Sequence, residues 1–162
     1  GVSMNFLRAF LLSLPLAMAL ASAPNMIEGG GELRLAGTAY RFQPTGLAVA
    51  RPKDGLPGAI RLTGDLIPDS GGGAFKMSLV FLRSGQLYLL DIRHGGKGRY
   101  PDTWAATPQT RLKILSLQLH PGGRVEVICQ GLLTGVIGQK PVQGAWKGRI
   151  WVAAPPTDAV TK

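Results

Sequence analysis

Residues 75–92 read Phe-Lys-Met-Ser-Leu-Val-Phe-Leu-Arg-Ser-Gly-Gln-Leu-Tyr-Leu-Leu-Asp-Ile. Phe75, Met77, Leu79 and Phe81 alternate with Lys76, Ser78, Val80 and Leu82. That is the period of two at which successive strand side chains point to opposite faces. Arg83-Ser84-Gly85-Gln86 supplies a glycine-containing turn, and Leu87 to Ile92 returns, so the stretch is expected to be a β-hairpin. Both faces of Leu79–Leu82 and Leu87–Leu90 are apolar, which places this hairpin centrally rather than at an edge.

The same alternation continues upstream. Leu33 and Leu35 flank Arg34, Tyr40 and Phe42 flank Arg41, Leu47 and Val49 follow, and Ile60 and Leu62 alternate with Arg61 and Thr63. Turn chemistry separates them at Arg51-Pro52-Lys53-Asp54-Gly55 and at Pro68-Asp69-Ser70-Gly71-Gly72-Gly73. Downstream, Arg111 to Leu119 runs into His120-Pro121-Gly122-Gly123, and Arg124 to Gln130 returns. Apolar parity there shifts from Leu112 and Ile114 to Leu115, Leu117 and Leu119, the mark of a β-bulge. Leu132 to Ile137 continues this strand or forms another. The last run puts Trp146, Ile150 and Val152 on one face and Lys147, Arg149 and Trp151 on the other.

No stretch after residue 24 has sustained helical spacing. Residues 103–107 are expected to form at most one helical turn, capped by Asp102 or Thr103 and ended by Pro108. Glycine and proline number 23 and 12 of 162 residues, far above ordinary usage, so the elements are many and short. Eight to ten strands with turns every 8–12 residues indicate an all-β domain. The reading favours an antiparallel β-sandwich, with a small β-barrel as the alternative. The single β domain is expected over residues 32–154, after a flexible lead-in at 24–31 and before a flexible tail at 155–162.

Met4-Asn5-Phe6-Leu7-Arg8 is a short cationic opening, followed by an apolar run from Ala9 to Leu20 and small residues at Ala17, Ala19, Ala21 and Ala23. Charge, apolar core and an A-x-A site in that order read as a secretory signal peptide over residues 1–23. Cleavage is expected after Ala21, and Gly1-Val2-Ser3 reads as a cloning scar or a misassigned start. A run of twelve is short for a hydrocarbon core, which takes about 20 residues. The chain is therefore expected to be exported to a periplasmic or extracellular space, as in bacteria.

Chemistry-bearing residues are few. Cys129 shares the parity of Val125 and Val127 and reads as a core thiol. His120 reads as a turn residue, and Asp102 as a cap or turn residue rather than part of a sugar-binding surface with Tyr100 and Trp104. No metal-ligand spacing, phosphate-binding loop or nucleophile elbow is present, so no cofactor, metal or catalytic residue is expected and the protein reads as a non-enzyme.

Removal of the leader takes Arg8 away and leaves 17 basic against 9 acidic residues, a net +8 that exceeds what solubility needs and points to an anionic partner. Export argues against nucleic acid as that partner. Two candidate binding sets stand out. Arg93, His94, Lys97, Arg99 and Tyr100 belong to a glycine-rich cationic loop suited to phosphate, sulfate or carboxylate. Lys147, Arg149 and Trp151 form an aromatic–cationic strip. The expectation is an exported β-domain that binds an anionic envelope surface (phospholipid, lipopolysaccharide or acidic glycan) or an acidic protein partner, with peripheral membrane contact. A barrel carrying a lipid or other apolar ligand and an exported hydrolase are the alternatives.

Overall fold

The computed structural model describes residues 27–50, 58–94 and 100–154. The signal-peptide segment, the Arg51–Gly55 turn, Lys97 and Arg99 and the polar tail lie outside the described residues. Among the described residues nine strands follow in chain order: β1 (Gly29–Leu35), β2 (Thr38–Val49), β3 (Ala59–Pro68), β4 (Phe75–Leu82), β5 (Leu87–His94), β6 (Thr103–Ala106), β7 (Arg111–Leu117), β8 (Arg124–Ile137) and β9 (Lys140–Ala153). The all-β class is the one expected, and the 75–92 hairpin is β4 and β5.

The architecture is the small β-barrel expected as the alternative, in place of the favoured sandwich. Strands β1 to β6 form an antiparallel meander, β9 pairs with both β1 and β8, and β8 pairs with β6. Eight strands thus close one sheet on itself, and β7 is a ninth strand paired with β8. A barrel of this size has an interior just wide enough for side chains to fill. Here Phe42, Ile60, Leu62, Phe81, Trp104 and Trp146 fill it, all buried. Charged side chains such as Arg34, Arg61, Lys76 and Arg149 point outward and are exposed. That polarity is the reverse of a membrane-spanning barrel, which turns an apolar band to the lipid.

Closure depends on residues expected to be a flexible lead-in. Gly29, Gly30 and Gly31 are strand residues, paired with Val152, Trp151 and Ile150. A glycine run carries no side-chain pattern, which is why it does not read as a strand. Its function is close approach: a Cβ on Gly31, at φ +133°, would lie 2.2 Å from the carbonyl oxygen of Arg149.

The helical turn expected at 103–107 is also absent, because Thr103–Ala106 is β6. Its backbone pairs with β5 on one side and β8 on the other, and this tertiary pairing overrides the local cap and proline signals. Strands β6 and β7 lie in line along β8, interrupted at Thr107–Thr110. Both threonine hydroxyls donate to the Leu132 carbonyl at 2.8 Å, which secures the interruption. Leu132 to Ile137 continues β8, giving a 14-residue strand. The parity shift in β7 is the expected bulge, with the register slipping between Ile114 and Ser116. Two-residue turns at Ala36-Gly37 and Gly138-Gln139 hold both residues at positive φ, the geometry that matches strand twist in a tight hairpin.

Candidate functional site

Alternation and closure together assemble one charged outer face from β1, β9, β8 and β7. Leu33, Leu35, Val125, Val127, Cys129, Trp146, Ile150 and Val152 turn inward and are buried. The residues between them point out. These four strands carry Arg34, Arg111, Lys113, Arg124, Lys140, Lys147 and Arg149 against only Glu32 and Glu126. The other five strands are closer to balance, with Arg41, Arg61, Lys76 and Arg93 against Asp65 and Asp91.

The register fixes how the charges stand. Arg34 is opposite Lys147, Lys147 is opposite Gln130, and Gln130 is opposite Arg111. That row holds three cations and no carboxylate. The adjacent row runs Glu32, Arg149, Ile128, Lys113. Like charges set directly across two strands are destabilising, so the arrangement is not one that stability selects.

Glu126 organises the next row, where Trp151 faces it across β9 and β8. Its carboxylate accepts a hydrogen bond from Arg149 Nε and is 3.2 Å from Arg124 Nε. The Arg124 guanidinium lies 4.1 Å over the Trp151 ring, a cation–π stack. Glu126 is only 7% exposed. The hydrogen bond from Arg149 holds its carboxyl below the ordinary glutamate value, and the positive charges of Arg124 and Arg149 act in the same direction while burial opposes them. Arg149 is raised in turn by Glu126. With its negative charge matched by two arginines, Glu126 does not repel an incoming anion. A shallow groove of about 570 Å³ runs over Glu32, Arg124, Lys147, Arg149 and Trp151.

Lys147, Arg149 and Trp151 are therefore on one face, as their parity requires, and Trp151 is half-buried because Arg124 roofs it. Arg34, Arg111 and Lys113 join that face, as does Glu126, which sequence reasoning passed over. Its signal was Arg124-Val125-Glu126 with both charges on one parity, but the partner Arg149 is 23 residues away.

The second set is elsewhere. Arg93 and His94 end β5, three strand steps from β9 by way of β6 and β8 and five steps by way of β4. The Arg93 Nε binds both Asp91 oxygens, at 3.1 and 2.9 Å. The His94 ring packs edge-on against Phe75 at 5.3 Å. Tyr100 is 62% exposed. The structure does not bring Arg93 and His94 to the β9 strip.

Asp102 serves a turn, accepting the Gly138 N–H at 2.9 Å. Trp104 is inside the barrel, so no sugar-binding surface forms with Tyr100 and Asp102. Cys129 is fully buried, and desolvation pushes its thiol up to about 12. His120 closes the β7–β8 turn through its carbonyl, which accepts the Gly123 N–H. Among the described residues no group of three or more His, Cys, Asp and Glu side chains is placed to hold a metal ion. Comparison with protein-family models, curated proteins and solved structures found nothing that matches this chain.

Proposed function

We propose that the chain is an exported, non-catalytic β-barrel domain that binds an anionic component of a bacterial-type cell envelope through the outer face of β1, β9, β8 and β7. The observation that carries this reading is the row Arg34, Lys147, Gln130, Arg111, in which Arg34 faces Lys147 directly, Arg111 follows beyond Gln130, and no carboxylate stands among them. An arrangement that costs folding stability is supported by a bound anion that offsets the repulsion. The cationic, apolar and small-residue order of residues 4–23 supports export.

Immobilised lipopolysaccharide, anionic phospholipid and acidic glycan provide the test. The protein is expected to be retained on at least one of them and released as salt rises, because exposed charges are screened within about 10 Å at 0.1 M ionic strength. Charge reversal at Lys113 and Lys147 is expected to reduce retention. Retention that persists in molar salt, or that ignores the two reversals, would refute the assignment. Capture of an acidic protein through the same residues, with no affinity for envelope material, would move the partner to that class.

A further inference from the structure

We infer that the β1–β9–β8–β7 face docks on the headgroups of an anionic phospholipid bilayer, an inference that rests on that face being the anion-binding one. Charge alone does not distinguish a bilayer from a soluble polyanion. Apolar side chains on the same face do.

The bulge between Ile114 and Ser116 leaves Leu115 outside the ladder. It shares the outward parity of Arg111 and Lys113, and it is 39% exposed. Leu115 is therefore an aliphatic tip displayed to water at the rim of a cationic face. Ile128 is half-buried in the row with Arg149 and Lys113, and Trp151 is half-buried one row further on. Cations beside an aromatic ring and an exposed leucine match the layers of a membrane interface. Arginine and lysine meet the phosphates, tryptophan rests at headgroup depth, and aliphatic tips enter the acyl boundary.

A linear acidic glycan satisfies the cations but offers no apolar layer for Leu115. The cations are spread across the curved barrel wall. Arg34 and Arg111 are three strand spacings apart, about 14 Å at roughly 4.8 Å per spacing, with Lys147 between them. Glu126, held by Arg124 and Arg149, adds no uncompensated negative charge.

The test is co-sedimentation of the exported form of the chain, beginning at Ser22 once the leader is removed, with vesicles of phosphatidylcholine, with and without phosphatidylglycerol, alongside binding to soluble dextran sulfate. Binding is expected only where phosphatidylglycerol is present. Reversing both Lys113 and Lys147 to Glu is expected to weaken it by about tenfold or more. Leu115→Ser is expected to weaken vesicle binding several-fold and leave dextran sulfate binding unchanged. Tryptophan emission is expected to shift to the blue on phosphatidylglycerol vesicles. Trp151→Phe is expected to abolish that shift, since Trp104 and Trp146 are already buried.

Binding to dextran sulfate but not to vesicles overturns the membrane inference and leaves the anion-binding assignment standing. Vesicle binding indifferent to Leu115→Ser does the same, because the apolar contact is then unused. Equal binding to phosphatidylcholine alone, or binding unaffected by the double reversal, places the contact outside this face and overturns the inference. Binding to neither probe removes both the inference and the reading beneath it.

Discussion

Arg34 on β1 stands directly opposite Lys147 on β9, and the row they share contains no carboxylate. Lys147→Glu converts this repulsive pair into an attractive one. The variant is expected to gain about 0.2–1 kcal/mol of stability while losing affinity for anionic surfaces. Urea denaturation and retention on phosphatidylglycerol measure the two effects. A variant that loses both stability and affinity would show that Lys147 has a packing role instead.

Glu126 makes the face sensitive to acid. Its folded pKa lies below the unfolded value, so its ionised form stabilises the fold above about pH 4.3, and that contribution is lost as pH falls through the depressed folded value. Wild-type protein is expected to lose stability on acidification more steeply than Glu126→Gln, which lacks the titrating group. Denaturant midpoints collected from neutral pH downward for both proteins compare the slopes. Equal slopes would mean that the Arg124 and Arg149 contacts do not hold the carboxylate in solution.

At the alkaline end, Cys129 acts with the opposite sign. An unfolded thiol ionises near 8.5 and the folded one near 12. The unfolded chain therefore releases its proton first, and stability is expected to fall by about 1.4 kcal/mol per pH unit between those values. Cys129→Ala is expected to remove this slope. In the native protein the thiol is expected to resist alkylation at mildly alkaline pH and to react promptly in denaturant. Rapid native-state alkylation would place it outside the core.

Barrel closure is expected to fail locally in Gly31→Ala. The added Cβ would meet the Arg149 carbonyl at 2.2 Å, and φ is +133°. The strain amounts to at least ~1–3 kcal/mol, and the β1–β9 ladder should open before the rest. Hydrogen exchange of β1 and β9 amides reads this directly. Gly37→Ala is the control, since its Cβ would meet nothing within 4 Å although its φ is also positive. Equal loosening of β1 and β9 in both variants would assign the effect to backbone conformation alone rather than to the close approach.

Much of the fold was legible. Parity along Met77–Phe81, Val125–Cys129 and Trp146–Val152 named inward residues that the structure buries, and turn chemistry located the β4–β5 and β7–β8 reversals. The outward positions of Lys147, Arg149 and Trp151 followed from the same alternation. The glycine strand at Gly29–Gly31 was not legible, because closeness of two backbones leaves no periodic trace. Nor was β6, since four residues ended by a proline carry too little local signal against pairing from both sides.

By itself the sequence determined which side of each strand is apolar, where the chain turns, and that cations outnumber acids, since all three are local properties of residue order and composition. Only the tertiary structure decided that β9 meets β1 and that β8 meets β6, so that one sheet becomes a barrel rather than two packed layers. It also decided that Arg34 faces Lys147 across 113 positions of chain while Arg93 lies on another side. Strand pairing is set by which edges find one another over long separations, and the alternation within a strand carries no record of its neighbour.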